Sequence, residues 1–460
     1  MKVSIPGFDQ THAEFKQVFV TALEGFVPID ITKTLIAFLD FCYIARQDVL
    51  TEGSLDVLDN ALGRFHHHRK IFQETGVRPT GFSLPRQHSL VHYRHHIEKF
   101  GALNGLSSSI TESKHITAVK KPWRRSNHYE ALSQMLTINT RNDKLAAARI
   151  NFSSRSMLNG TCLGETLEKF FDDGNSNMAD DSDHNSEDGE DLGADEDDDR
   201  TGPADGPPTL SDVTLAQKRG RFCLIFHAES FLKFNTARGY PLTSFWELGR
   251  HIQQENLEDL VRIFLFYQQN PTFAGTPPIS ACPTIESVND ISVFHSAKAV
   301  FCAPSNPSGI GGLYRETIRS TPMWKTSGIT APRRDCILLE TGSGVAGVRG
   351  LDVARVHLFF SFVLEEEEFQ CALVHEFCKS FTDPDPDNGL WVFEPDYNND
   401  GYRIMSVVHV DSIVRAAHLL PVFKARTPIP REINFTNTLD VFKAFYLNKY
   451  IDYHAFEILS

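Results

Sequence analysis

The sequence contains no apolar run of the about 18–20 residues that a transmembrane helix requires, so a bilayer-spanning protein is not expected. Its opening residues, MKVSIPGFDQTHAEF, hold no apolar stretch of the signal-peptide type, and we expect an intracellular protein. The eight cysteines include no C-x-x-C pair and no spacing typical of a disulfide framework, which favours reduced thiols. No phosphate-binding loop of the G-x-x-x-x-G-K-S/T type is present either.

The charge of the chain is unevenly distributed. The formal net charge is −14, but residues 171–200 hold 14 Asp and Glu against one Arg and alone contribute −13. Residues 61–160 hold 16 Lys and Arg, 5 Asp and Glu and 9 of the 19 histidines, which gives a charge of +11. A basic block beside an acidic tract indicates binding to a polyanion. The acidic tract could also compete with DNA for the basic block, although a solvated linker is the simpler interpretation.

Hydrophobic patterns predict an α+β protein of several domains, as 460 residues suggest. Residues 1–170 are expected to be mainly helical. Residues 171–210 hold few apolar side chains and should form an acidic disordered linker. Residues 211–350 should be mixed and loop-rich. Residues 351–460 contain short β-rich runs such as VARVHLFFSFVL and FQCALVHEFC, which predict a small antiparallel barrel or sandwich, with a terminal helix over 438–448.

Local signals place several helices within these regions. Apolar residues recur at helical spacing in the N-terminal part, and Ser54 is a plausible N-cap for one of its helices. Further helices are expected over His88–Phe100 and near Trp246–Gln269.

Two motifs resemble ligand-binding loops but do not meet the requirements of such sites. CILLETGSGVAG places Gly342, Gly344 and Gly347 at dinucleotide-binding spacing, yet a strand rather than the required helix is predicted to follow, so no nucleotide cofactor is expected. DPDPDNG resembles a calcium loop, but Asn388 occupies the position that needs Gly, and a loop between strands is expected.

The most informative tract is RQHSLVHYRHHIEKFGALNGLSSSITESKHITAVKKPWRR, over residues 86–125. His88 and His92 are four residues apart, which suits two zinc ligands on one helix face, although such pairs more often pack or face solvent. A cluster of cations around one tryptophan indicates contact with DNA phosphates and bases, or a solvated helix face. This cluster consists of Lys114, Lys120, Lys121, Trp123, Arg124 and Arg125.

Several long phrases of the chain resemble, in order, the late region of Plavaka-type transposases, which are fungal cut-and-paste elements related to CACTA elements. They include FLDFCYIARQDV, RFHHHRKIFQETGVRPTGFSLPRQHSLVHY, FGALNGLSSSITESKHITAVKKPWRRS, RGLDVARVHLFFSF and VVHVDSIVRAAHLLPVF. The resemblance covers nearly the whole chain except the acidic tract. It implies that residues 1–170 are a remnant of an RNase H-like catalytic domain, that the chain binds DNA in the nucleus, and that it can form a homo-oligomer.

The resemblance also implies metal sites. Such transposases hold two Mg²⁺ ions with an Asp-Asp-Glu triad, and the ions activate the attacking oxygen and stabilise the leaving one. Glu112 matches the triad Glu, although composition alone would make it a surface or capping residue. His88 and His92 match the histidine half of a structural zinc site whose other half is C-x-x-C.

The chain departs from this family pattern in ways that put catalysis in doubt. It contains no C-x-x-C, and the residues before His88 are too few for the strands that carry both triad aspartates, so we expect the C-terminal portion of a transposase. Three hypotheses follow: a catalytically incomplete transposase fragment, a protein that binds DNA or chromatin, and a protein-interaction module built on the β-rich region. Outside the nucleus, the cytoplasm is the alternative location.

Overall fold

The structure is a computed structural model in which the chain forms two compact units. Residues up to Leu106 together with Arg200–Ser460 form the first, and Ser107–Asp199 form the second. The N-terminal helices therefore share a unit with the β-rich region, a division that differs from the expected boundaries. The structure describes residues 18, 20–103, 115–155, 202–203, 212–215, 244–285, 288–306, 312–326, 329–341, 345, 347–423, 432–434 and 436–460. Most of the acidic linker expected over 171–210 lies outside them.

Helices occupy both ends of the first unit and the described part of the second. The described α-helices are α1 Ile29–Ile44, α2 Glu52–His68, α3 Ile71–Glu74, α4 Pro85–His88, α5 Tyr93–Phe100, α6 Lys121–Arg125, α7 Ala131–Ser154, α8 Phe245–His251, α9 Leu257–Gln269, α10 Thr438–Val441 and α11 Tyr453–Leu459. None of the helices in the described ranges is both long and apolar enough to cross a membrane.

The strands of the first unit pair antiparallel throughout. They are β1 Gly202–Pro203, β2 Asp212–Leu215, β3 Asn289–Phe294, β4 Ser296–Cys302, β5 Leu313–Thr326, β6 Ile329–Arg334, β7 Cys336–Glu340, β8 Leu351–Leu364, β9 Glu367–Lys379, β10 Val392–Pro395, β11 Met405–His409, β12 Ile413–Ala417, β13 Leu419–Pro421 and β14 Phe445–Leu447.

These strands form a nearly closed, barrel-like arrangement. Nine of them follow the order β12-β7-β8-β9-β10-β14-β13, with β11 on β9 and β3 on β8, and a smaller sheet runs β1-β5-β4-β2 with β6 on β5. The predicted helices with a C-terminal antiparallel β region are thus confirmed at this coarse level. Strands β3 to β7 also occupy much of the stretch for which loops were expected.

The long strand β8 is buried on both faces, which explains its continuous apolar sequence. Phe360 and Phe362 pack with α8 and α9, while Phe359 packs with β4 and β5 on the other side. Because alternate residues of a strand face opposite sides, both sets of aromatic rings can be buried at once. A β-bulge between Val356 and Leu358 leaves His357 outside the regular pairing with β9.

The N-terminal helices pack against the C-terminal part of the chain. In α2, Leu55, Leu58, Leu62 and Phe65 are buried, as their helical spacing predicted. They share one core with residues of β10, β13 and β14 and with α11. Across this core, the hydroxyl of Tyr450 donates to the buried carboxylate of Asp40 at 2.7 Å.

The start of α2 differs slightly from the prediction. Thr51, not Ser54, is the N-cap, and its hydroxyl accepts a hydrogen bond from the Ser54 amide at 3.2 Å. In return, the Thr51 amide donates a hydrogen bond to the Ser54 hydroxyl at 3.4 Å. The pair forms a capping box, so Ser54 contributes as the third helical residue.

Three other local predictions were only partly right. The helix expected over 438–448 ends at Val441, because Phe445, Tyr446 and Leu447 are buried as strand β14 between β10 and β13. The helix expected near Trp246–Gln269 is divided into α8 and α9. The helix expected over His88–Phe100 is divided as well, since a 3-10 turn at Ser89–His92 separates α4 from α5.

The strand predicted after the glycine-rich motif and the loop predicted at DPDPDNG are both present. The glycine-rich segment is followed by β8 rather than by a long helix. DPDPDNG lies between β9 and β10, where the Asp385 carboxylate accepts the amides of Asp387 and Asn388.

Candidate nucleic-acid interface and histidine site

The basic segment of the second unit is helical. A π-helical turn over Ile116–Lys120 leads directly into α6, which has Pro122 in its first turn. The helix ends at Arg125, and the next residue, Ser126, has an extended backbone and donates its hydroxyl to the carbonyl of Trp123 at 2.8 Å. Proline suits the start of a helix because its missing N–H would have no partner there.

The predicted cations of this segment all face solvent. Lys120 and Lys121 are exposed, as are Arg124 and Arg125. Within the described part of the chain, none of these four side chains forms an ion pair or a hydrogen bond. Their charge is therefore available to an anionic partner.

An aromatic pair lies beside these cations. Trp123 is 45% exposed, and its ring stacks on His128 with centroids 4.7 Å apart and planes 13° apart. The adjoining turn is braced by Gln134 of α7, whose side-chain amide donates to Asn127 and to the carbonyl of Tyr129, both at 2.6 Å. A further hydrogen bond, from Asn139 to the carbonyl of Ala118 at 2.8 Å, joins α7 to the π-helical turn.

This arrangement can bind a nucleic acid by two means. Exposed Lys and Arg side chains neutralise phosphates, and an exposed indole offers a face on which a base can stack. Of the predicted interface, Lys114 lies outside the described residues. The predicted magnesium ligand Glu112 also lies outside them.

The two predicted zinc ligands are neighbours in space. His88 ends α4, and His92 ends the 3-10 turn that follows. Both are exposed, and their rings meet edge to face with centroids 5.3 Å apart. The ring of His96 follows at 6.4 Å from that of His92.

The donor set at this histidine pair does not fit a structural zinc ion. Such a site needs four ligands in a tetrahedron, usually with thiolates among them. No group of three or more His, Cys, Asp or Glu side chains within the described ranges is placed to hold a metal ion. The predicted pair is thus brought together, while two further ligands are not supplied by this part of the chain.

A cavity of about 580 Å³ opens beside His88. The guanidinium of Arg69 lies over the ring of Phe82, 4.6 Å from its centroid, and donates to Gln87 at 2.5 Å. His66 also lines the cavity, and burial, followed by the charge of Arg69, lowers its pKa. The cavity is therefore aromatic and cationic.

No family model, curated protein or solved structure matches this chain.

Sequence reasoning missed a buried ionic cluster around Arg415. The two terminal nitrogens of Arg415 donate to the carboxylate of Asp452 at 2.9 and 2.5 Å, and one also reaches Glu316 at 3.4 Å. The His454 ring lies 3.0 Å from the same guanidinium and stacks on Phe301. The members come from β5, β12 and the start of α11, so no local sequence motif predicts the cluster.

A second missed cluster surrounds Arg355 in β8. It contains Arg334, Arg403, Asp440 and His375, which come from separate elements. A weak signal exists in the sequence, because Arg355 interrupts an otherwise apolar strand and a buried cation needs a partner.

The half-buried histidine beside Arg415, His454, should make the fold acid-sensitive. Burial, and then the charge of Arg415, lower the pKa of His454 to about 4. Histidine in an unfolded chain has a pKa of about 6.5, so the unfolded state binds this proton more readily. The free energy of unfolding should therefore be highest above pH 6.5 and fall as pH drops toward 4, with about 2 kcal/mol lost at pH 5 through this group.

Urea denaturation of wild type and His454→Gln at pH 7 and pH 5 measures this contribution. Glutamine cannot take up the proton, so the variant should lose about 2 kcal/mol less between the two pH values. Burial raises the pKa values of Glu24, Glu316 and Glu457, which oppose the effect in both proteins, so the difference between the proteins is the quantity to compare. Equal losses in the two proteins would contradict the prediction.

Proposed function

We propose that this chain is a DNA-binding protein related to Plavaka-type transposases, and that it does not cut or join DNA by itself. The observation that carries the proposal is the basic segment Lys120–Arg125, in which four exposed cations without partners in the described ranges accompany a partly exposed tryptophan. Cations without internal partners lose little when they bind a phosphate, since no existing ion pair has to be broken.

The manner of binding follows from the size of the segment. Four cations can neutralise about four phosphates, which gives an affinity that depends strongly on salt and little on sequence. Stacking of one base on Trp123 adds about 1–3 kcal/mol and favours single-stranded or unstacked DNA. We expect binding to non-specific DNA and to element ends, and a nuclear location.

The proposed relation to transposases is supported by the long phrases of the chain that resemble that family. In the family, Glu112 would be the third carboxylate of a magnesium site, and His88 and His92 would be half of a zinc site. The sequence has no C-x-x-C to complete the zinc site, and Asp30, Asp40, Asp56 and Asp59 lie in α1 and α2 rather than in strands. We therefore propose that this stretch of sequence carries ancestral, incomplete parts of both metal sites.

The test is a binding and cleavage assay of the intact chain on labelled single-stranded and duplex DNA. The logarithm of the association constant should fall with the logarithm of salt concentration, with a slope of about −3 to −4 on duplex DNA. No product should appear with Mg²⁺ or Mn²⁺.

Two outcomes would contradict the two halves of this proposal separately. Absence of binding at low salt, or binding that salt does not weaken, would refute the DNA-binding half. Metal-dependent cleavage that disappears in Glu112→Ala would refute the loss of catalysis.

A further inference from the structure

Three arginines of the β-rich region gather around one carboxylate. Arg355 and Arg403 both donate to the same oxygen of Asp440, at 2.8 and 2.6 Å. The Arg355 side chain is only 7% exposed, whereas those of Arg403 and Asp440 are 35% and 37% exposed. The cluster thus has a buried base and an open side that faces solvent.

The third arginine, Arg334 at the end of β6, has no partner for its guanidinium within the described ranges. It is half-buried, and burial, followed by the charges of Arg355 and Arg403, lowers its pKa. A guanidinium remains protonated in proteins, so the side chain stays charged despite these neighbours. An unpaired, partly buried cation beside two others is unfavourable unless an anion joins it.

Two histidines also line this arginine cluster, and neither adds a charge to it. His375 in β9 lies opposite Arg355 in β8 in the strand register, and its Nε2 lies 2.9 Å from the carbonyl oxygen of Asp396. Burial lowers the pKa of His375 and, far more strongly, that of His357, so both rings are neutral near pH 7. The Nε2 atom of His357 is buried and has no partner among the described atoms.

The balance of charge at the cluster is positive. Even when Asp396 is counted with Asp440, three guanidinium groups face two carboxylates. The fork of N–H groups on an arginine matches the oxygens of a phosphate better than it matches a spherical ion.

We propose that this cluster is a binding site for a phosphate group, held by Arg334 and Arg403 at its open side, with Arg355 and His357 behind. The ligand is free phosphate or a terminal phosphate monoester, because its three free oxygens and charge of about −1.5 to −2 suit several guanidinium groups better than the two free oxygens of a backbone phosphodiester do. The site is independent of the DNA-binding role proposed for the basic segment, and either one can fail without the other.

Titration of the intact chain with inorganic phosphate, at constant ionic strength in chloride, tests the site by calorimetry. Phosphate should bind and should raise the melting temperature relative to chloride. Arg334→Gln should weaken phosphate binding about tenfold or more, since one of the two open forks is lost. Asp440→Asn should tighten it, because the competing carboxylate charge is removed.

The matched control is Arg349→Gln, which removes an exposed arginine that pairs with Asp383, and it should leave phosphate binding unchanged. The opposite effects of Arg334→Gln and Asp440→Asn separate the site from general instability, which would weaken binding in both. Failure of phosphate to bind better than chloride, or equal binding by wild type and Arg334→Gln, would overturn the proposal.

Competition identifies the source of the phosphate group. A short oligonucleotide with a 5′-phosphate that competes better than free phosphate, and better than its 5′-hydroxyl form, would show a nucleic-acid end as the ligand. Equal competition by the phosphorylated oligonucleotide and free phosphate would show that the ion alone is recognised. Competition by the 5′-hydroxyl form equal to that of the phosphorylated form would overturn the assignment of a terminal phosphate.

Discussion

Reversing the charge of Lys120, Lys121, Arg124 and Arg125 to glutamate should reduce the affinity of this chain for DNA by about 100-fold or more near physiological salt. Each lost phosphate contact removes about 0.9 from the slope of the logarithm of the association constant against the logarithm of salt concentration. The slope should therefore become shallower by about 3 to 4. The side chains are exposed and unpaired within the described residues, so the fold should tolerate the change. Fluorescence anisotropy over a range of salt concentrations measures both quantities.

Two control variants make this result specific. Exchange of lysine for arginine and arginine for lysine at the same four positions keeps the charge and should keep most of the affinity. Reversal of Arg250, Arg349 and Lys443, which are exposed in the other unit, changes the net charge in the same direction and should have a much smaller effect. If the reversal in the basic segment changed DNA binding no more than this second control does, the segment would not be the interface.

Replacing Arg415 with alanine should destabilise the first unit by about 3–5 kcal/mol. The side chain is 3% exposed and holds two carboxylates, those of Glu316 and Asp452, which are 8% and 21% exposed. Burial already raises the pKa of Glu316 against the opposing charge of Arg415. Without Arg415, the buried carboxylate must either remain charged without a partner or take up a proton, and both cost free energy.

Urea denaturation of the intact chain, followed by circular dichroism, measures this loss. The control is Arg349→Ala, whose ion pair with Asp383 is 65% and 71% exposed and should contribute at most about 1 kcal/mol. Similar midpoints for the two variants would mean that the buried cluster contributes no more than a surface ion pair.

In the β region, the hydrophobic pattern predicted some strands correctly and missed others. The runs around VARVHLFFSFVL and FQCALVHEFC were recognised as strands because they are short, apolar and β-branched, and they form β8 and β9. The stretch before them was expected to be loop-rich, since proline, glycine and serine are frequent there, yet it contains β3 to β7. Pairing with β8 and with one another stabilises these strands, and such partners are not visible in a local window.

Of the candidate sites, one could be located from the sequence and two could not. The exposed cations around Trp123 are contiguous in sequence, so composition was enough to locate them. The clusters at Arg355 and Arg415 could not be located, because their members are separated by about 20 to 140 residues and are brought together by strand pairing and helix docking. The magnesium ligand expected at Glu112 and the role of His88 and His92 stay predictions.

By itself, the sequence determined that helices lie in the N-terminal part and strands near the C-terminus, and where the charge is concentrated, because these properties depend on residues close together in the chain. Only the tertiary structure decided that α1 and α2 pack on the C-terminal strands and that β14 replaces a predicted helix. It alone also placed three arginines around Asp440. The physical reason is that burial and ion pairing depend on contacts between residues that are far apart in the sequence. The free energies of these contacts override local secondary-structure preference.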